Sequence, residues 1–226
     1  MKASVLRGVV AAQKSGRDVV LATRPGDGKQ ELIEAGSSAG SLGVDGDVLA
    51  DVLRVGESRT IETDGGPVFL RPYIRPPRLI IVGAVHIAQA LVPMATVAGF
   101  QVTVLDPREG FATGDRFPGA VLVREWPDQA MAALGLDGRT AIVALTHDPK
   151  IDDPALIAAL ESDAFYLGAL GSRKTQGARR ERLGEAGFTD GDLDRIHGPI
   201  GLPIGARTPE EIAVAVLAQV IGALRL

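Results

Sequence analysis

The sequence has no cysteine, few aromatic residues and no long apolar run, and each absence excludes a class of function. Without cysteine the chain forms neither disulfides nor cysteine-based zinc or iron–sulfur sites. Aromatic residues make up 4%, and the net charge is −4 without a basic tract, which argues against nucleic acid as a partner. No apolar run reaches the roughly 18 residues of a membrane span, and the N-terminus does not resemble a signal peptide. We therefore expect a cytoplasmic protein without a membrane partner.

Three prolines between residues 72 and 77 separate two kinds of sequence pattern. They favour an extended linker at 73–77, because proline disfavours helix in the residue before it. Residues 1–72 predict a small α+β domain. Its expected elements are a helix over Ala3–Ser15, strands over Val19–Thr23 and Gln30–Glu34, a helix near Asp47–Arg54, and a hairpin of Arg59–Glu62 with Val68–Arg71 around Asp64–Gly66.

Residues 78–226 alternate short apolar runs with helical patterns, which predicts a Rossmann-like, doubly wound parallel sheet. The expected strands are Leu79–Val82, Val102–Leu105, Ala120–Val123, Ala141–Leu145 and Phe165–Leu167. The expected helices are Ile87–Ala98, Pro127–Leu134, Pro154–Ser162, Thr175–Ala186 and an apolar last helix, Ile212–Leu226. Pro93 should kink or split the first of them.

The turn after the first of these strands is typical of dinucleotide binding. Gly83, Ala84, Val85 and His86 follow the strand, and Asp106 lies 23 residues after Gly83, where a ribose-binding acid is expected. Val85 replaces the middle glycine of the usual fingerprint, so its branched side chain would meet an approaching pyrophosphate. A turn that binds no nucleotide is the alternative interpretation.

The three histidines all lie beside predicted loops. His86 and His147 follow the carboxyl ends of strands, with Thr146 and Asp148 on either side of His147, and His197 precedes a glycine-rich loop. Ligands of doubly wound sheets bind at that edge. Ordinary loop roles remain the alternative, and the spacings match no common zinc pattern, so no metal site is predicted. If the chain is an enzyme, His147 is the best candidate for a general acid or base.

Asp148, Asp152 and Asp153 are crowded into one loop. A cap for a helix beginning at Pro154 explains Asp152 and Asp153 better than metal binding does. The later run Arg179–Arg182 mixes charges and predicts a solvated face.

Two glycine-containing loops carry cations and predict anion binding. Gly171, Ser172 and Arg173 open a helix, where backbone amides can hold a phosphate, and Arg108 adds a cation near Asp106. The equally open alternative for the 171–173 loop is a plain turn with solvated cations.

The other loop runs from His197 through Gly201 to Arg207. It leads into a helix start in which Thr208 and Glu211 form a capping box and Pro209 suits the first turn. Because a cap alone does not require three glycines, the loop suggests a backbone brought close to an anion.

Taken together, these motifs resemble the XdhC/CoxI family over nearly all of residues 78–226. The resembling segments are Arg78–Ala84 with His86, Asp106–Arg108, Arg116–Pro118, Thr146–Asp148, Tyr166–Arg173, His197–Leu202 and Thr208–Ala213. Several uncommon motifs occur in the family's order, whereas residues 1–72 show little likeness to the family's N-terminal domain.

The resemblance implies a Rossmann-like chaperone that binds molybdenum cofactor and delivers it to a xanthine dehydrogenase-type molybdenum hydroxylase. Amides, Arg173 and Arg207 would hold the anionic tail of the pterin, and the histidines would contact the pterin or its oxo ligands. Many relatives carry a cysteine where this chain has Ser41–Gly46, so thiolate ligation of molybdenum is excluded here.

Two other functions stay open at this point. One is an NAD(P)-dependent oxidoreductase that uses Asp106 for ribose, and the other is a nucleotide sensor without catalysis. The last helix could pack internally or against a second subunit, and symmetric homodimers are the commonest oligomers.

Overall fold

Two separate sheets organise the chain, one in each of two units that divide between Arg75 and Pro76. The computed structural model describes residues 2–225. The elements of the first unit are α1 (Ala3–Lys14), β1 (Val19–Arg24), β2 (Lys29–Glu34), α2 (Gly46–Val55), β3 (Arg59–Ile61) and β4 (Val68–Tyr73). The strands form an antiparallel sheet in the order β2-β1-β4-β3.

The first unit buries one face of this sheet under α2. Val20 and Leu70 pack there against Leu49 and Val52, which lie three residues apart on one face of the helix. The predicted hairpin is confirmed, since Thr60 pairs with Phe69 across β3 and β4.

The second unit contains twelve elements. They are β5 (Arg78–Val82), α3 (His86–Val97), β6 (Gln101–Leu105), β7 (Val121–Val123), α4 (Pro127–Leu134), β8 (Thr140–Ala144), α5 (Pro149–Leu160), β9 (Tyr166–Ala169), α6 (Arg173–Glu185), α7 (Asp190–Leu193), β10 (Ile196–His197) and α8 (Pro209–Arg225). The sheet is parallel throughout, in the order β10-β9-β8-β5-β6-β7.

This order is that of a Rossmann fold, with the first strand of the unit at the centre. Successive residues of β5 face opposite sides, so Leu79 and Ile81 pack toward α3 and α8, while Ile80 and Val82 pack toward α4, α5 and α6. The predicted fold class is therefore confirmed. The order of strands reverses between β5 and β8, which makes the carboxyl ends of these two strands the switch point.

Several details differ from the sequence predictions. Pro93 lies inside one helix, α3, which continues to Val97 and is not split. The α5 helix begins at Pro149, five residues before the expected Pro154. The sixth strand, β10, was not predicted, because two residues are too few for a recognisable apolar run. Every helix among residues 2–225 is too short or too polar to span a bilayer.

Candidate functional site

The turn after β5 brings the two loops of the switch point into contact. Gly83 has φ +110°, and a Cβ atom there would lie 2.5 Å from the Thr146 side chain at the end of β8. Its amide donates a hydrogen bond to the carbonyl of Leu105, 2.8 Å away, at the end of β6. Glycine is therefore required, both for the conformation and for the close approach of the β8 loop.

The α3 helix begins at this turn without a side-chain cap. Val85 occupies the cap position with an extended backbone (φ −94°), and its side chain offers no acceptor. That side chain is half-buried against the apolar cluster under α3. His86 opens the helix and is exposed. Amides of an uncapped first turn, together with the helix dipole, favour an anionic ligand.

Asp106 follows β6 directly and is completely buried. Its carboxylate accepts hydrogen bonds from the Ala84 amide (2.7 Å) and from the Arg108 amide, Nε and Nη2 (3.0, 2.9 and 2.6 Å). Burial alone would raise the pKa of Asp106, but the bonds from Arg108 and the Ala84 amide outweigh it and hold the pKa below its usual range. A carboxylate has about four acceptor positions, so none is left for the expected ribose hydroxyl.

The loop after β8 is strained at His147. This residue has φ +63°, and among residues 2–225 it is the one non-glycine residue with positive φ. Its side chain is exposed. Thr146 accepts a hydrogen bond from the Asp148 amide at 3.0 Å, which tightens the turn around His147. Strain of this kind persists where the surrounding structure imposes it, and such residues cluster at functional sites.

Asp152 is the residue that imposes this conformation, and the capping role predicted for it is wrong. Asp148 caps α5 instead, by accepting from the Lys150 amide at 3.0 Å. The buried carboxylate of Asp152 accepts hydrogen bonds from the Thr146 hydroxyl (2.6 Å), the Thr146 amide (3.3 Å) and the His147 amide (3.1 Å). Asp153 caps nothing either, since it pairs with Arg182 at 2.6 Å.

A second buried charge extends this network toward β9. Arg179 contacts Asp152 through Nη2 at 3.3 Å and donates to the Leu170 carbonyl at 3.2 Å. Burial raises the pKa of Asp152 and lowers that of Arg179, because desolvation outweighs the pairing. The solvated face predicted for this part of α6 is wrong at Arg179, which lies one turn from the buried Leu183. The one signal in the sequence for the burial of Arg179 was its position one helical turn before Leu183.

The 171–173 loop follows the strand next to β8. Gly171 has φ +138°, and Ser172 caps α6 by accepting from the Thr175 amide at 3.2 Å. Arg173 is exposed and forms no side-chain hydrogen bond or ion pair within residues 2–225, so its cation is available to a ligand.

The structure does not bring His197 into this group. It ends β10 at the outer edge of the sheet, level with Gly168, and its ring stacks on Tyr166 with centroids 4.8 Å apart. Desolvation lowers the pKa of His197.

The loop that follows His197 is packed on α8. The Gly201 amide donates to Gln219 Oε1 at 2.7 Å, and a Cβ atom at Gly201 would lie 3.2 Å from Ala215. The predicted capping box is confirmed by Thr208–Glu211 bonds of 3.1 and 3.2 Å. Arg207 precedes it with an exposed side chain.

The second unit is similar in sequence to a known domain family. The family model of the XdhC Rossmann domain matches residues 79–220. The molybdenum cofactor insertion chaperone PaoD of Escherichia coli is 33% identical over 157 residues, which cover 70% of this chain and 42% of that protein. A relative from Bacillus subtilis, named as a probable subunit of xanthine dehydrogenase, is 34% identical over 146 residues, or 64% of this chain and 42% of the relative.

A third relative, the uncharacterized protein YqeB of Escherichia coli, is 31% identical over 154 residues, with 68% of this chain and 28% of that protein covered. The chain thus spans less than half the length of these curated relatives. A crystal structure of a xanthine dehydrogenase from Bacillus halodurans superposes with a TM-score of 0.74 at 26% identity, covering 98% of this chain and 67% of the other. Since the family model matches well over half of the residues, the chain belongs to the XdhC family.

Proposed function

We propose that this protein binds molybdenum cofactor at the switch point of its parallel sheet and acts as a maturation factor for a xanthine dehydrogenase-type molybdenum hydroxylase. The observation that carries the proposal is His147, an exposed imidazole in a left-handed conformation imposed by the buried Asp152 carboxylate. Glycine would adopt this conformation without strain, so the packing of the loop does not explain a histidine.

The surroundings of His147 suit the chemistry of the cargo, which is a pterin with a phosphate or nucleotide diphosphate tail. The uncapped first turn of α3 offers amide donors, and Gly83, which precedes this turn, packs against Thr146, the neighbour of His147. The hydrogen bond to Asp106, and in addition the negative charge of Asp148, raise the pKa of Arg108, so charges on the loops after β6 and β8 act on each other. The anionic tail is therefore the part of the cofactor for which the described residues provide complementary groups.

In this proposal different residues bind the anionic tail and the pterin of the cofactor. The turn at residues 83–86, Arg108 and the 171–173 loop hold the anionic tail, while His86 and His147 with Thr146 and Asp148 contact the pterin or its oxo ligands. Once transferred, the cofactor supplies the molybdenum centre of the client hydroxylase.

A cytoplasmic location and a homodimer are part of the same proposal, and light scattering of the purified protein tests the dimer.

An oxidoreductase that binds NAD(P) finds less support. The acid expected to hold the ribose, Asp106, is occupied by Ala84 and Arg108. The Rossmann topology by itself is shared by many functions and does not favour this one.

The test is to express the protein in a host that synthesises molybdenum cofactor and to analyse what it retains. Mass spectrometry of the released, oxidised ligand and elemental analysis for molybdenum should find a pterin and the metal. Addition of the loaded protein to a cofactor-free client hydroxylase should restore its activity. Retained nicotinamide dinucleotide, or protein free of pterin from a cofactor-producing host, would contradict the proposal.

Arg173→Ala supplies the variant for this experiment. If Arg173 binds the tail through charge-assisted hydrogen bonds, cofactor occupancy should fall about tenfold without a change in melting temperature. Arg180→Ala is the matched control, because Arg180 lies on the same helix and pairs with Asp190 and Asp194 instead. Equal occupancy in both variants would remove Arg173 from the site.

A further inference from the structure

The carboxyl end of β6 holds an arginine whose orientation is fixed on two sides. Arg108 binds the Asp106 carboxylate through Nε and Nη2, at 2.9 and 2.6 Å. Its Cζ atom lies over the Phe111 ring, 4.1 Å from the ring centroid. Nη1 of the same group forms no hydrogen bond or ion pair within residues 2–225. A third of the side chain is exposed. The two N–H donors of Nη1 are thus free to bind a ligand and point in a fixed direction.

The backbone of Phe111 is itself held in place by Arg116. Its carbonyl accepts a hydrogen bond from Arg116 Nη1 at 2.7 Å, and the same arginine donates to Gln89 of α3 at 3.2 Å. Arg108 therefore lies between a buried carboxylate and a residue whose backbone is tied to α3 through Arg116, so it needs little reorganisation to accept an anion.

The hydrogen bonds from Arg108 and Ala84 to Asp106 prevent this acid from binding ribose in the usual way. In Rossmann folds an acid at the end of the second strand accepts hydrogen bonds from the ribose hydroxyls, whereas a nearby arginine accommodates a phosphate on that sugar. Asp106 has the position of this acid, but all of its acceptor positions are filled by protein donors. A ribose diol that approaches here meets N–H donors and no free carboxylate oxygen.

We infer that the end of β6 selects a ligand that places a phosphomonoester against Arg108 and rejects one that places an unmodified ribose diol there. The inference deepens the function proposed above and relies on it for the identity of the ligand. Two sources share this chemistry, the terminal phosphate of the pterin cofactor and the 2′-phosphate of NADP.

Matched ligand pairs separate these sources by calorimetry. The first pair is NADP and NAD, which differ by one phosphate, and the second is the phosphate form of the pterin cofactor and its nucleotide form. In each pair that binds, the phosphomonoester should bind about tenfold more tightly or better, the worth of one charge-assisted hydrogen bond. Equal affinities within every pair that binds, or no binding of any of the four ligands, would overturn the inference.

Arg108→Ala tests the mechanism of selection. The variant loses the donor to the phosphate and frees two acceptor positions of Asp106, so the preference should disappear or reverse toward the diol. Asp106→Asn in the same assay should weaken both members of a pair, because it loosens Arg108 and the turn at Ala84 together. Arg182→Ala on α6, which removes an ion pair with Asp153 on α5, is the control and should keep the preference.

The outcomes for the two proposals are distinct. Binding of NADP with the predicted preference, but no binding of either pterin form, would contradict the maturation role and leave the inference on Arg108 standing. Pterin binding without any effect of Arg108→Ala would support the maturation role and contradict the inference on Arg108.

Discussion

The switch point and the outer edge of the parallel sheet look alike in sequence, yet the structure uses their glycines and histidines differently. Both regions combine a histidine, a glycine turn and the start of a helix. Toward the outer edge packing explains two of the glycines, because Cβ atoms at Gly168 and Gly201 would collide with or crowd Tyr166, Ile200 and Ala215. The capping box at Thr208 completes a structural account of that segment.

At the switch point, packing explains only part of the pattern. Gly83 is required by the approach of Thr146, but the strained His147 is exposed, and its side chain forms no hydrogen bond within residues 2–225. Close backbone packing thus accounts for glycines in a loop without any ligand. A residue held against its conformational preference is the better indicator of a ligand site.

The largest expected effect is a loss of stability when the buried carboxylate of Asp152, which supports the switch point, is removed. Asp152→Ala leaves Arg179 buried without its partner and removes the acceptor of three hydrogen bonds from Thr146 and His147. We expect a loss of about 3–5 kcal/mol in the free energy of unfolding, measured by urea denaturation. Asp153→Ala, which removes the more exposed pair with Arg182, should cost less than about 1 kcal/mol. Similar losses in the two variants would refute the supporting role of Asp152.

A pair of glycine substitutions separates packing from ligand binding. Gly201→Ala and Gly83→Ala both force a side chain into positive φ, at a cost of about 1–2 kcal/mol each before any clash. Gly201→Ala should lower the melting temperature and leave cofactor affinity intact, whereas Gly83→Ala should lower both. Loss of affinity in Gly201→Ala would show that the outer loop belongs to the site.

His147→Gly should have a smaller effect on stability, and one of opposite sign. Removing the side chain relieves the left-handed strain, so the free energy of unfolding should stay equal or rise by up to about 1 kcal/mol. Cofactor occupancy should fall in the same protein.

His147→Asn is the control for this result, because asparagine tolerates the conformation but lacks the imidazole. It should also lose cofactor. Full occupancy in both variants would leave the strain at His147 without a ligand to explain it.

The smallest expected effect is a pH dependence at the outer edge. Burial lowers the pKa of His197 in the folded state, so between the folded pKa and the unfolded value of about 6.5 the unfolded chain binds more protons. The stability contribution of His197 is therefore present above pH 6.5 or so and is lost as the pH falls through the folded pKa.

His197→Phe keeps the stacking on Tyr166 and removes the titration, so its stability should vary less with pH over this window. Thermal melts of the two proteins across the window give the measurement. An unchanged profile in the variant would exclude His197 as the titrating group.

Local patterns in the sequence were sufficient for most of the fold. Apolar runs such as Leu79–Val82 and Ala141–Leu145 identify strands covered on both faces, and Thr208 with Glu211 identifies the start of the last helix, because these signals depend on a few neighbouring residues. The start of α5 was missed because Pro154 imitates a first-turn proline, whereas Pro149 is the residue that follows the true cap, Asp148.

The site was predicted less completely, for a reason that the Asp152–Arg179 pair illustrates. These residues lie 27 positions apart, and each reads as surface charge within its own helix. Only their burial between α5 and α6 turns them into a support for the 146–147 loop. Asp106 and Arg108 were recognised as a pair of interest, but their mutual binding depends on side-chain directions that spacing does not specify.

The sequence by itself determined the alternation of strands and helices, the glycine at position 83 and the absence of any thiol, since each follows from residue identity and short-range geometry. Tertiary structure alone decided which charges became buried, which histidine became strained and which acid lost its free oxygens. Those properties arise when segments far apart in the chain exclude water from the same place.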